Sequence, residues 1–381
     1  MMRGAASAPA AAIARGWRAE CTRLRRSRLD LILLTLMPAV LLGLMGAMIA
    51  RGSVRDGPVV IVDHDGGALA RAIRRTVDAS PMLSVAAVTP DVATAMTMVR
   101  SERALAILVI PRGIGLAGSP PAEILYEAQF LAAGSTAQAA LRAAVTLRVA
   151  QSAPRSAGVD GISLGRRPLP GVRLTLLGNP TASLGWYLGL LLGPAVIHLL
   201  FAVSAIGAVA PLLAGKTFAG YARVTVRPSL DLIGRLAPHV LACWSWGTAW
   251  IVALTLLGDY RFVGSLWAVA GGLLLLALAT VSVALLLIAT TREMATALSA
   301  AVIITGSALA YSGASLPING APRLAQVWSA ALPLTHYIRF EMDVLIGAHP
   351  RPLCVEAGAL LLYPLIAGGL GLWLVARSAR T

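Results

Sequence analysis

The chain has 381 residues, of which 57% are hydrophobic and only 13% charged, with a mean hydropathy of +0.76. That leaves too little polar surface to cover a soluble globule of this length, so the composition excludes a water-soluble domain and requires a membrane protein. The formal charge of +15 is spread over short loops and an insert without an RNA- or DNA-binding motif, which argues against nucleic acid as a partner.

Residues 1–30 carry Arg15, Arg18, Arg23, Arg25, Arg26 and Arg28 and read as a basic interfacial helix meeting anionic membrane lipids. A hydrocarbon layer about 30 Å thick requires roughly 20 apolar residues per helix, and the first such run, 31–50, lies between Asp30 and Arg51, so that transmembrane helix 1 is expected over 31–51. Pro38 inside it is tolerable, because membrane helices re-satisfy a freed carbonyl locally. A cleaved signal peptide is the rival reading. The long basic region, the length of the apolar run and the lack of an A-x-A exit oppose it.

Residues 52–178 are of mixed composition and alternate short β-rich runs with helical segments, the pattern of a small α/β domain. Strands are expected at 58–63 and 82–88, in ALAILVIP ending at Pro111, and in AEILYE at 122–127. Helices are expected at 67–79, 91–102 and 135–152, with a Gly/Pro/Arg-rich loop at 157–171. Residues 179–381 then hold five further apolar runs, 183–213, 236–257, 264–290, 295–312 and 353–376. The fold class is therefore an α-helical polytopic membrane protein, six transmembrane helices with an inserted α/β extracytoplasmic domain. Basic residues bias cytoplasmic loops. Lys216, Arg223, Arg227, Arg235, Arg292, Arg377 and Arg380 all fall on the side of the amino terminus if six spans alternate. Both termini are thus expected in the cytoplasm, and the insert outside it.

Few motifs suggest chemistry. APLLAGKT at 210–217 satisfies a permissive phosphate-loop pattern, but the chemistry needs a strand before the loop, and here an apolar helix precedes it. Lys216 snorkelling at a helix end is the simpler account. The five histidines show no metal-ligand spacing, VDHD at 62–65 sits where a strand should turn, and no G-x-S-x-G occurs. Cys243 and Cys354 fall in or beside spans, where packing explains them; Cys21 near the bilayer is open to acylation. No catalytic, metal or cofactor site is expected on the chain itself. Polar and aromatic residues within spans, His198, Trp244, Trp246, Thr305 and Ser307, are candidates to line a path. His198 stands out as an ionisable group inside a span, while the tryptophans also suit packing or an interface.

The chain resembles the permease subunit of an ABC-2 type exporter, in the branch with a large external domain between spans 1 and 2. The residues that carry the resemblance are the arginine-rich approach RAECTRLRRSRLDLILLTLMPAVLLGL, the insert segments VIVDHDGGALARAI and ALAILVIPRGI, and LGNPTASLGWYLGLLLGP entering span 2. The most specific is YSGASLPINGAPRLAQVWSAALPLTHYIRFEMDVLIG, similar to the family's external re-entrant hairpin, here 313–348. The resemblance implies a separate nucleotide-binding subunit that holds ATP and Mg, a second permease (self or paralogue), and, in related exporters with large external domains, a periplasmic adaptor and outer-membrane channel. The Arg-dominated basic content suggests a GC-rich bacterial genome and fits a bacterial inner membrane. The resemblance also implies a coupling helix in loop 214–235, where the family's glutamate is missing. Either Phe218, Tyr221, Arg223 and Arg227 make the contact instead, or this copy is the weaker-coupled half of a heterodimer. Pro317, Pro333 and His336 on the hairpin join His198, Trp244 and Trp246 as expected path or gate positions, and Glu341 and Asp343 are expected to face water, with a place in the family's external gate as the sharper alternative. An ion-coupled secondary transporter is the alternative, although the internal repeats and unwound midplane helices usual there are not evident.

Overall fold

The structure, a computed structural model, describes residues 9–50, 56–101, 103–116, 119–126, 131–152, 184–213, 217–257, 262–314, 318 and 320–378. The chain divides into two compact units, one formed by Met1–Ala50 with Leu176–Thr381 and the other by Arg51–Thr175.

The first unit is helical. It begins with α1 (Pro9–Arg26), α2 (Arg28–Leu34) and α3 (Leu36–Ala50). The second unit intervenes in the chain and contains, in order, β1 (Gly57–Asp63), α4 (Ala68–Asp78), β2 (Leu83–Thr89), α5 (Val92–Arg100), β3 (Ala106–Ile110), β4 (Glu123–Tyr126) and α6 (Leu131–Ser152). The helical unit resumes with α7 (Leu184–Leu213), α8 (Thr217–Val224), α9 (Pro228–Leu257), α10 (Leu266–Thr291) and α11 (Met294–Tyr311). It ends with α12 (Arg323–Ala330), α13 (Pro333–Ile346), α14 (Pro350–Tyr363) and α15 (Gly369–Ser378), the last two joined by a π-helical turn at Pro364–Gly368.

Among the described residues, six helical segments are long and apolar enough to cross a membrane: Arg28–Ile49, Gly185–Leu213, Pro228–Leu256, Leu266–Thr291, Met294–Tyr311 and Pro350–Ser378. The chain is a multi-pass membrane protein. Its centre is α10, which packs on α7, α9, α11, α13 and both halves of the last span. Span 1 is peripheral: only 17% of its apolar window is buried, against 61% for α10. Leu29, Leu36, Leu44 and Met48 accordingly point outward, as lipid-facing side chains should.

Three boundaries differ from the sequence expectation. The break in span 1 falls at Thr35, whose hydroxyl donates to the Leu31 carbonyl. Pro38 then lies in the first turn of α3, where a missing N–H breaks no helical bond. Span 3 begins at Pro228 rather than residue 236, because Asp231 and Arg235, which read as loop, are paired within its first turns. Span 6 carries its wide turn at Pro364, since a proline inside a helix loses one bond and crowds the preceding turn.

The second unit is a four-stranded sheet in the order β2-β1-β3-β4, parallel except for antiparallel β4. A bulge between Val59 and Val60 shifts the register with β2. Both faces are covered, as parallel strands require. Val59, Ile61 and Leu108 pack with Ile73 and Val77 of α4 and Leu141 of α6. Val60, Val62 and Ile107 pack with Ala95 and Val99 of α5. The loop expected at 157–171 lies outside the described residues.

Leu108 is fully buried at the centre of β3. Leu108→Ala should destabilise this unit by about 2–5 kcal/mol, read as faster protease cleavage within residues 56–152 of the purified full chain while the helical unit stays resistant. Unchanged cleavage would contradict this packing.

Candidate functional site

Two polar regions interrupt the apolar bundle, one at the end carrying α1 and α8, the other around α13 at the opposite end. At the first, α1 lies along α9 through a reciprocal pair of glycines. Gly16 abuts the Asp231 carbonyl and Gly234 abuts the Ile13 carbonyl, so that a Cβ at either position would overlap backbone atoms. Small residues of this kind let helix backbones approach closely.

That approach encloses two acids. The Asp231 carboxylate accepts from the Tyr221 hydroxyl at 2.7 Å, Arg235 Nε at 2.9 Å and Arg15 Nε at 3.3 Å. Arg15 also donates to the Val226 carbonyl at 2.8 Å. Glu20, fully buried, accepts from the Arg23 guanidinium at 2.6 to 3.0 Å and pairs with His239 Nε2 at 2.9 Å. His239 Nδ1 in turn meets the Ser204 hydroxyl of α7 at 2.9 Å, and Arg23 bridges onward to Asp30 at the start of span 1. Burial pushes the Glu20 carboxyl up, but the bonds from His239 and Arg23 outweigh it and hold the group below its ordinary value. The Tyr221 phenol is raised, first by burial and then by its bond to Asp231.

The helix α8 is fastened by two of its own side chains. Phe218 is buried and lies under the Arg292 guanidinium, 4.3 Å from the ring centroid, a cation–π contact. Arg292 is the left-handed cap that ends α10. Tyr221 supplies the bond to Asp231. Of the sequence candidates here, Phe218 and Tyr221 therefore meet the bundle. Arg223 and Arg227 are on the exposed side, Arg227 in the left-handed region with φ of 63°. Val224 and Val226 are also exposed, at 85% and 59%. The chain before the phosphate-loop-like sequence is the helix α7 rather than a strand.

At the opposite end, α12 and α13 form the hairpin between spans 5 and 6. Pro333 is the first residue of α13 and is buried; Gly347 closes the helix at φ of 67°. His336 pairs with Glu356 of α14 at 2.6 Å and with the Ala330 carbonyl at 2.9 Å. The Trp328 indole donates to Ser307, and Ser329 to the Tyr311 carbonyl. Backbone bonds from Val263 and Gly264 to Leu345 and Val344 tie the outer end of α13 to the start of α10. Glu341 does not face water: it is fully buried, and neither carboxyl oxygen has a hydrogen-bond partner. The Tyr337 hydroxyl, one turn away, interacts with Glu341 through a contact short of good hydrogen-bond geometry. Burial holds the Glu341 carboxyl well above its ordinary value, and burial followed by the nearby Glu356 raises the half-buried Asp343. The sequence expectation failed here because α13 turns its Tyr337–Glu341 face into the bundle against α10.

The span candidates do not converge. His198 Nδ1 is 2.7 Å from the Thr280 hydroxyl. That hydroxyl gives its proton to the Leu276 carbonyl, so Nδ1 donates and Nε2 is left as a buried, unpartnered acceptor. Trp244 donates to the Ala270 carbonyl, about 15 Å along α10 from Thr280. Trp246 donates to the Leu34 carbonyl of α2. Thr305 bonds to the Ala301 carbonyl of its own helix. Pro317 lies outside the described residues. In the second unit, the acids of VDHD are occupied by their own turn. Asp63 accepts from the amides of Asp65 and Gly66, Asp65 from those of Gly67 and Gly113. Among the described residues no group of His, Cys, Asp and Glu could hold a metal.

Sequence reasoning missed Glu20, Asp231, His239 and the burial of Glu341. One signal was available: with 17 acids in 381 residues, a lone Glu in a basic helix three residues before Arg23, and a lone Asp in loop 214–235 four residues before Arg235, are spaced for helical ion pairs.

A family model described as ABC-2 family transporter protein matches residues 29–373. No curated protein and no solved structure matches.

The two buried glutamates should give opposite pH dependences. Glu20, depressed in the fold, stabilises above the unfolded value near 4.5 and loses that contribution as pH falls through its lower folded value. Glu20→Ala strands His239 and Arg23 and should cost about 3–5 kcal/mol at neutral pH. Glu341, raised in the fold, is most favourable at low pH and weakens the fold as pH rises past about 4.5. Thermal melting in detergent should show Glu341→Gln as stable as the parent or more so at pH 8, with the alkaline loss removed. A variant that melts lower at every pH would contradict the burial of an unpaired acid.

Proposed function

The chain belongs to the ABC-2 family of transporter proteins, and we propose from that premise that it is the membrane-spanning permease of an exporter, driven by ATP hydrolysis in a separate subunit that also holds Mg. Two such chains, or this chain and a paralogue, enclose the path. The end carrying α1 and α8 faces the cytoplasm of a bacterial inner membrane, in keeping with its arginines. The α/β unit lies on the other side, where a periplasmic adaptor leading to an outer-membrane channel would dock.

The observation that carries this reading is the anchoring of α8. A short helix between spans 2 and 3 couples to an ATPase only if it moves as one body with the bundle. Here Phe218 under Arg292 joins it to the end of span 4, and Tyr221 on Asp231 joins it to span 3 and, through Arg15, to α1. Displacement of α8 is passed to these elements through side-chain contacts rather than through a loop. Phe218 and Tyr221 thus act as anchors, while Arg223, Arg227 and the exposed Val224 and Val226 form the surface offered to the partner. Glu341, His336 and Pro333 belong to the external gate. A missing glutamate in the coupling loop fits a heterodimer in which this copy couples more weakly.

The test is purification of the tagged chain from its native membrane, identification of the proteins that accompany it, and assay of ATPase activity. Recovery of a nucleotide-binding subunit is expected. Val224→Asp should remove it at least tenfold, one apolar contact replaced by a charge at an interface, without lowering the melting temperature of the chain. A chain that purifies alone and carries out ion-coupled flux would overturn the exporter reading in favour of a secondary transporter.

A further inference from the structure

The α1 end holds a feature that coupling to a partner does not use. A cavity of 740 Å³ opens on the surface of the first unit, lined by Arg15, Arg18, Arg23, Arg26 and Arg235 together with Ser27 and two neighbours. Three of the five arginines are committed to acids: Arg15 and Arg235 to Asp231, and Arg23 to Glu20 and Asp30. Those acids are deeply placed, with Glu20 and Asp231 almost without exposure. Arg18 and Arg26 are exposed and have no acidic partner among the described residues. Five guanidinium groups against three carboxylates leave the cavity with an excess of two positive charges. Ser27 adds a hydroxyl: its oxygen accepts the Asp30 amide at 3.4 Å, leaving its proton free to be donated.

The surroundings identify the class of anion. Guanidinium forks match the oxygens of phosphate in geometry and charge. Directly beyond Ser27, α2 presents Leu29, Leu31 and Ile32 outward, at 69%, 44% and 43% exposure, and Leu36 follows at 54%. α2 is the start of a membrane span. Leu29, Ile32 and Leu36, at helical i, i+3 and i+7 spacing, form an apolar stripe next to the arginine-lined cavity, the arrangement a phospholipid needs, its phosphate at the rim and its chains along the helix. On the preceding helix Trp17, 37% exposed, suits the same interfacial level.

We propose that this cavity is a binding site for a phosphate group, supplied by the headgroup of an anionic phospholipid, with Arg18, Arg26 and Ser27 as its direct donors and Arg15, Arg23 and Arg235 as the positive wall behind them. Bound there, the lipid touches the same Arg15 and Arg23 that hold Asp231 and Glu20, and so bears on the α1–α9 crossing.

Native mass spectrometry of the purified full chain, titrated with phosphatidylglycerol, phosphatidylcholine or inorganic phosphate, tests this. Phosphatidylglycerol should be retained and phosphatidylcholine lost. R18Q/R26Q should weaken retention at least tenfold, the effect of losing the charge-assisted hydrogen bonds of two direct phosphate donors. R25Q/R28Q removes equal charge from arginines of α1 and α2 that do not line the cavity, and, because it takes away no direct donor to the phosphate, should change retention no more than about twofold. Inorganic phosphate raising the melting temperature of the parent, but not of R18Q/R26Q, would retain the phosphate site and assign it to a soluble ligand. Equal losses in both double variants would overturn the proposal, reducing the effect to general surface charge. It is likewise overturned if R18Q/R26Q releases the ATPase subunit while lipid retention stays unchanged, since the arginines would then serve a protein contact. The untitrated melting temperatures of the variants, expected to equal that of the parent, separate loss of the site from loss of the fold.

Discussion

Glu20 and Asp231 are carboxylates enclosed at a helix crossing where water cannot reach them, and a charge in that position costs several kcal/mol unless hydrogen bonds and counter-charges surround it. Glu20 reaches Arg23 and His239, and Asp231 reaches Tyr221, Arg235 and Arg15. These partners come from α1, α8 and α9, so the placement of three elements is fixed by the need to neutralise two groups. The close approach that buries the acids depends in turn on Gly16 and Gly234. Removing either the glycines or the partners undoes the other half of the arrangement.

This linkage gives the bundle a stiff end. Lipid-embedded helices gain little from apolar packing against each other, because the surrounding hydrocarbon is equally apolar. Hydrogen-bonded ion pairs and backbone contact therefore carry more of the specificity than they would in water. The Ser204–His239–Glu20 line joins span 2 to span 3 and to α1, while Phe218 beneath Arg292 joins α8 to the end of span 4. A force on α8 finds the bundle through several short contacts.

The opposite end follows a different rule. Glu341 is buried with no counter-charge among the described residues and only a loose contact to Tyr337, and burial raises its carboxyl well above the ordinary value, which favours the neutral acid. Around it, His336 with Glu356 and the backbone bonds of Val263 and Gly264 pin α13 in place. One end of the molecule thus satisfies its buried acids and the other leaves one unsatisfied.

The sequence by itself determined the membrane class, six helices, their order and the α/β insert, because these depend on local composition and on periods of two and 3.6 residues. Strand 58–63 and helix 91–102 were legible in that way, and β1 and α5, the latter capped by Asp91, occupy those positions. The tertiary structure alone decided which polar residues matter. Asp231 reads as a loop acid until span 3 extends back to Pro228, and Glu20 reads as one acid on a basic surface helix until α9 covers it. Glu341 reads as solvent-facing until α13 is seen to turn that face toward α10. His198, Trp244 and Trp246 looked alike as polar or aromatic span residues, yet they bond to different neighbours. Burial and pairing are properties of which helix faces meet. Residues more than 200 positions apart, such as Glu20 and His239, come into contact only through that meeting.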